Sequence, residues 1–155
     1  MRRLILGIDP GASGGIAAKV GKDIYTRKVN DIRGLCDWIN GLRYYFEKHK
    51  PLAFIEEVPK FVGRNIPSSS SFTLGKSFGE LLGVLTALEI ETHRIRPQEW
   101  QKAVGSGKRS GRGDSEWKNH LKALAQDFFP AQKVTLWNAD ALLLLEFGLI
   151  KEYGV

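Results

Sequence analysis

LILGIDPGASGGIAAKV, Leu4 to Val20, joins an apolar run that ends in an acid, a tight turn and a second apolar run. Leu4, Ile5, Leu6, Gly7 and Ile8 are apolar at every position and so on both faces, which predicts a central strand covered on each side. Asp9 stands at the end of that strand. Pro10 fixes one backbone dihedral and Gly11 frees the next, so the chain turns at once, while Gly14 and Gly15 allow backbone or ligand to approach closely. A carboxylate at the mouth of a sheet is a candidate metal ligand, and equally a residue that caps a turn through its own side chain. The glycines invite a phosphate-cradling reading as well. They lack the spacing and the Lys of a P-loop, however, and do not match a dinucleotide fingerprint.

On the C-terminal side, Gly15 to Val20 and Asp23 to Lys28 read as two strands joined by a turn at Gly21, so the first three strands pair antiparallel. From Asp31 to His49, Ile32, Leu35, Trp38, Ile39, Leu42, Tyr45 and Phe46 recur at three- and four-residue intervals, an amphipathic helix stopped by Pro51. Trp38 and Tyr45 fall on its apolar stripe and read as core. The next strand, Leu52 to Glu57, again ends in acids. A crossover helix returns the chain to the same sheet in parallel, so Asp9 and one glutamate converge. Side chains alternate along a strand, so only one of Glu56 and Glu57 faces the site, and periodicity alone leaves open which.

Between Pro59 and Ser71 lies a polar, basic loop in which Lys60, Phe61 and Arg64 stand where they can touch a phosphate and stack on a base. Ser71 to Ile90 reads as a long helix with Gly75, Gly79 and Gly83 spaced by four. Each costs about 1 kcal/mol relative to Ala inside a helix. Their common side therefore serves close approach, of the sheet within the monomer, of a second subunit or of a nucleic-acid backbone. After a strand at Glu91 to Ile95, Pro97 opens a short helix. Gly105 to Gly113, with Lys108, Arg109 and Arg112, has the composition of a mobile basic loop, either a solvated linker or an arm that grips phosphate. Asp114 or Ser115 caps the following helix, which carries Lys118 and Lys122 one turn apart and stops at Pro130. A last helix, apolar nearly all round, begins near Leu136 with Asp140 in its first turn, where the helix dipole favours an acid.

The 155 residues, 43% hydrophobic and 26% charged, predict one globular domain over 1–155. A net charge of +6 and a pI near 9.5 favour a polyanionic partner. The single Cys36 excludes an internal disulfide and a thiolate zinc cage, and reads as a small buried residue in a reducing compartment. No early segment has the pattern of a signal peptide or membrane span, so the expected location is the cytoplasm, with no membrane partner.

GIDPGASGG (Gly7 to Gly15), AFIEEVP (Ala53 to Pro59), RPQEWQK (Arg96 to Lys102) and ADALLL (Ala139 to Leu144), in this order, resemble the RuvC-type Holliday-junction resolvases of the ribonuclease H-like superfamily, in the flavour of the short proteins of phages and prophages. The resemblance covers nearly the whole chain. It implies an α/β fold with a mixed five-stranded sheet, three antiparallel strands then two parallel, flanked by helices. It further implies Asp9, Glu56 and Asp140 as metal-binding carboxylates, with Lys118 near the scissile phosphate. DNA contacts would come from Lys60, Phe61, Arg64, Lys76, Lys108, Arg109, Arg112, Lys118 and Lys122, and a homodimer interface from Gly75, Gly79 and Gly83. The family's fourth ligand about one helical turn before the last acid has no counterpart here, since those positions hold Trp137 and Leu136. Glu146, six residues on, is turned away by roughly 600°. Asn138, Asp114 or a water is left to fill the place. Pro59 stands where a stacking aromatic is often found, which makes Phe61 the substitute.

Three carboxylates at one point require cations to stay ionised, so the resemblance implies two Mg²⁺ ions, with Mn²⁺ as substitute. It implies hydrolysis of a four-way junction to 5′-phosphate and 3′-hydroxyl ends by a homodimer. Competing readings are a related nuclease acting on other branched DNA or on RNA precursors, and a non-catalytic junction-binding protein. A nucleotide-binding domain of the actin-like fold fits the glycine turn but needs a second lobe.

Overall fold

The computed structural model describes residues 3–44, 50–60 and 66–154. The strands are β1 (Ile5–Asp9), β2 (Gly15–Val20), β3 (Asp23–Lys28), β4 (Leu52–Glu56) and β5 (Glu91–Ile95). The helices are α1 (Ile32–Arg43), α2 (Ser68–Ala87), α3 (Pro97–Ala103), α4 (Asp114–Phe128) and α5 (Ala139–Tyr153). The strands form one mixed sheet in the order β3-β2-β1-β4-β5. β1, β2 and β3 pair antiparallel, and β4 and β5 add in parallel, as expected.

Alternation along the strands sorts the core into two layers. Leu4, Leu6 and Ile8 of the first strand and Ala53 and Ile55 of β4 point to one face, where they pack with Leu35 and Ile39 of α1 and Phe78, Leu81 and Leu85 of α2. Ile5, Leu52 and Phe54 point to the other and pack with Trp100 of α3, Trp117 and Leu121 of α4 and the apolar run of α5. α5 lies directly on β1, because Gly7 has no side chain there. A Cβ on Gly7 would strike the backbone of Ala141 and Leu145. Gly148, further along α5, likewise leaves room for the Phe54 ring and Ile5. The all-apolar α5 is therefore buried from Ala141 to Leu145, and its first turn is delivered to the end of β1.

Several boundaries differ from those read in the sequence. α1 ends at Arg43; Tyr45, Phe46 and His49 lie outside the described residues. α2 starts at Ser68, not Ser71. Its hydroxyls bond back to carbonyls four residues earlier, Ser71 Oγ to Pro67 at 3.3 Å and Thr73 Oγ1 to Ser69 at 2.9 Å, so the Ser run is compatible with a helix. Gly75, Gly79 and Gly83 are exposed, and a Cβ on any of them would meet nothing within 4 Å. Helix-on-sheet packing is thus not what these glycines serve. α4 is capped by the backbone of Gly113; neither Asp114 nor Ser115 makes a side-chain cap, and Asp114 pairs instead with Arg109. α5 begins at Ala139, with Leu136, Trp137 and Asn138 in the preceding turn. Cys36 is free and half-buried against the α1–α2 layer. No described helix is long and apolar enough to cross a membrane.

The Gly105 to Gly113 segment is a loop, as its composition predicts, with contacts at both ends. Ser106 is only 2% exposed; its N–H donates to Gln101 O at 3.0 Å and its carbonyl accepts from His120 Nε2 at 2.6 Å. His120 stacks on Trp117, and the Arg112 guanidinium lies over the same indole at 5.7 Å. Gly107 to Gly111, between them, are exposed.

Candidate active site

Three elements bring one carboxylate each to the same end of the sheet. Asp9 has the parity of Ile5 and Gly7, and so lies on the α5 face of β1. Ile8 pairs with Ile55 across the parallel ladder, so the next residues along the two strands are Asp9 and Glu56. Glu56 shares the parity of Leu52 and Phe54, which also face α5, and Asp140 occupies the first turn of α5 itself. Alternation thereby separates the two glutamates: Glu56 turns towards Asp9 and Asp140, and Glu57 turns the other way.

The electrostatics follow from that crowding. Burial, then the charges of Asp140 and Glu56, push the Asp9 carboxyl well above its ordinary value, against the opposing Lys118 ammonium. Burial raises Glu56 to about 7, with Asp140 adding to the rise and a hydrogen bond from Trp100 opposing it. Burial raises Asp140 to about 6, again opposed by Lys118. Lys118, exposed on the first turns of α4, is thus the cation that faces the acids. Glu57 is a different case. Arg94 donates to both of its oxygens, at 2.6 and 2.5 Å, and holds its carboxyl below the usual range, with Lys60 nearby adding to the effect.

The turn after Asp9 is fixed by groups on both sides. Gly11 has φ of +121°, a conformation that favours glycine, and its N–H donates to Ser77 Oγ on α2 at 3.0 Å. Gly14 lies so close to Asp9 that a Cβ would strike the Asp9 carbonyl, and Gly15 lets the Trp137 ring and carbonyl sit against β2. These glycines serve close approach of backbone.

The residues offered for the fourth ligand place are engaged elsewhere. Asn138 is 2% exposed; its Oδ1 accepts from Thr135 N at 2.7 Å and its Nδ2 donates to Lys133 O at 3.2 Å, so it holds the turn before α5. Asp114 is exposed and paired with Arg109. Glu146 lines a separate cavity of about 510 Å³ with Lys19, Tyr25 and Phe129, towards the opposite end of β2. Among the described residues no group of three or more His, Cys, Asp or Glu side chains closes into a cage for one ion. Asp9, Glu56 and Asp140 therefore feel one another's charge without yet surrounding a common point.

Of the basic residues, Lys60 and Lys108 are exposed, Lys122 is half-buried, and Lys76 lies 3.7 Å from Glu80. Arg109 and Arg112 are taken up by Asp114 and Trp117. Phe61 and Arg64 lie outside the described residues. Two residues that sequence reasoning leaves without a role stand close to the acids: Ser77, on the Gly11 turn, and Trp100, whose Nε1–H donates to Glu56 Oε2 at 2.7 Å. The signal for Trp100 is an indole inside the polar RPQEWQK run, since a buried indole N–H needs an acceptor.

The mixed sheet, with α5 laid on β1, has the ribonuclease H-like fold that solved RuvC structures share. The RuvC structure of Thermus thermophilus superposes with a TM-score of 0.61 over 97% of this chain and 96% of that chain, at 14% identity. T. thermophilus RuvC in complex with a Holliday junction substrate superposes with a TM-score of 0.59 over the same shares, at 12% identity. No protein-family model and no curated protein sequence matches the chain. At such identities the likeness is one of fold.

Proposed function

We propose that this chain is a structure-selective endodeoxyribonuclease that resolves four-way DNA junctions. The observation that carries the reading is the convergence of Asp9, Glu56 and Asp140 at one end of the sheet, with the Lys118 ammonium opposing the charge of Asp9 and Asp140. The likeness in fold to a RuvC bound to a Holliday junction supports the choice of substrate.

The donor set fits a hard divalent cation. All three groups are carboxylates whose proton affinity is raised by burial first, with neighbouring acid charge adding to it at Asp9 and Glu56, and a bound cation would offset both effects. A three-ligand cage is not required, because Mg²⁺ is usually held by one or two carboxylates together with waters and substrate phosphates. Two Mg²⁺ ions, or Mn²⁺ in their place, would supply Lewis-acid activation of water and charge stabilisation on the leaving oxygen. Asp9, Glu56 and Asp140 would hold them. Lys118 would meet a non-bridging oxygen of the scissile phosphate. In the net reaction a water oxygen bonds to phosphorus and the bond from phosphorus to O3′ breaks. One water proton ends on O3′, leaving 3′-hydroxyl and 5′-phosphate ends.

Lys60, Lys108 and Lys122, with Phe61 and Arg64 of the preceding loop, would contact the DNA, the cations through its backbone, and Lys76, Arg109 and Arg112 would join by exchanging or extending their present contacts. Such binding weakens steeply with salt. The open glycine face of α2 supports a homodimer, whose two-fold axis would match that of the junction. One observation favours a second reading, a junction-binding protein without catalysis: the acids do not close around one point among the described residues.

The test is cleavage of a labelled four-way junction against a linear duplex of the same sequence, in Mg²⁺ and in Mn²⁺, by wild type and Asp9→Asn. Paired nicks on the junction alone, lost in the variant, are expected. Tight junction binding without cutting by the wild type in either metal overturns the nuclease and leaves the binding protein.

A further inference from the structure

We infer that Trp100 is a positioning residue for the carboxylate centre, its indole N–H holding one oxygen of Glu56 so that the other is the ligating atom. The inference rests on the reading of Asp9, Glu56 and Asp140 as a metal centre and adds a residue outside that set.

Trp100 is fully buried, and its indole N–H is given neither to a backbone carbonyl nor to solvent but to Glu56 Oε2, at 2.7 Å. The geometry is that of a short bond to a carboxylate. The neighbouring residue shows what a different donor does. Arg94 spans both oxygens of Glu57 with its fork and brings a full positive charge, which ties both oxygens and offsets the carboxylate's charge. An indole has one N–H, carries no charge and does not titrate. It therefore fixes the Glu56 rotamer while leaving Oε1 and the negative charge available.

The anchor is itself well held. Pro97 starts α3 immediately after β5, and Val104 N–H donates to the Trp100 carbonyl at 3.0 Å. The indole belongs to the same buried layer as Ile95, Val104, Trp117 and Leu121. Trp117 precedes Lys118, so the layer that seats the anchor of Glu56 also seats the helix bearing the cation. Partners of this kind behind a metal ligand change affinity by about tenfold to a hundredfold when removed.

Trp100→Phe keeps the ring and deletes the donor. Mn²⁺ binding to the DNA-free protein, read by calorimetry, is expected to weaken at least about tenfold in the variant. Half-saturation of junction cleavage by Mg²⁺ should rise by a similar factor, with a much smaller change in the rate at saturating metal. Wild-type binding with an unchanged constant in Trp100→Phe overturns the inference and leaves the metal centre standing. Absence of Mn²⁺ binding by the wild type overturns the centre and the inference together. Should Trp100→Phe not fold, the indole N–H resonances of the four tryptophans in ¹⁵N-labelled wild type decide. One is expected to shift on Mg²⁺ titration of the wild type and to stay fixed in Glu56→Gln; four unmoved resonances at saturating metal in a protein that binds Mn²⁺ overturn the inference.

Discussion

The two faces of the sheet use the same strands for different ends. On the α1–α2 face, Leu6, Ile8 and Ile55 lead to Glu57, which points outward into a bidentate pair with Arg94. On the α5 face, Ile5, Gly7 and Phe54 lead to Asp9 and Glu56, which turn in beside Asp140. Glu56 and Glu57 are adjacent and chemically alike, yet burial raises the proton affinity of one and Arg94 lowers that of the other. What α5 covers, more than residue type, decides which strand-end carboxylate is buried beside Asp140.

The sharpest way to break this contrast is to neutralise each glutamate in turn. Glu56→Gln is expected to reduce the rate of junction cleavage by about a thousandfold or more, as loss of a ligand to a catalytic metal does. Glu57→Gln should stay within a few-fold of wild type, because only an exposed ion pair, worth about 0.2–1 kcal/mol, is lost. Single-turnover rates at saturating Mg²⁺ measure both. Equal effects of the two substitutions would show that the face of the sheet does not select the ligand.

The same contrast has a sign in the pH dependence of stability. Glu56 and Asp140 bind protons more tightly folded than unfolded, so their contribution is fully present below about pH 4 and is lost as pH rises through about 6 to 7, and Asp9 acts in the same direction. Glu57 runs oppositely, and weakly, since its pair is exposed. In EDTA, urea unfolding is expected to show the wild type less stable at pH 7.5 than at pH 5, by about 1–3 kcal/mol, since each tenfold gain in proton affinity on folding is worth about 1.4 kcal/mol. Glu56→Gln should shrink the difference, and Mg²⁺ should raise stability at pH 7.5. Metal-free stability that rises over this interval would show that the acids are not crowded.

Much of this architecture is legible in the residues. Two acid-tipped apolar runs separated by an amphipathic helix are enough to pair β1 with β4 in parallel and to bring their ends together. The side of β4 that matters is not legible, because Phe54 and Ile55 are both apolar and only the position of α5 distinguishes them. Gly7 holds that information in retrospect, as the one residue of β1 that admits a helix backbone. The resemblance of motifs selects Glu56; alternation from Gly7 and Phe54 gives the physical reason. Composition gives the loop at Gly105 to Gly113 but not its attachment, where the buried Ser106 carbonyl accepts from His120. For Trp100 the indole in a polar run signals burial but not the partner, which lies across the fold on another element.

Glycines supply the smallest and most discriminating test. Gly7 and Gly79 are the same residue in opposite surroundings: a Cβ at Gly7 strikes the α5 backbone, whereas at Gly79 it meets nothing. Gly79→Ala should therefore stabilise an isolated chain by up to about 1 kcal/mol, the difference in helix propensity. If the open face of α2 seats a second copy, the added methyl stands between two backbones that glycine allows to approach. Stability of the monomer and association then move in opposite directions. Thermal melts at low concentration are expected to shift up slightly, while sedimentation shows a smaller dimer fraction than wild type at the same concentration. A higher melting temperature with unchanged assembly would remove α2 from the subunit contact, and the cost of three exposed glycines would have to be assigned to close approach by DNA instead.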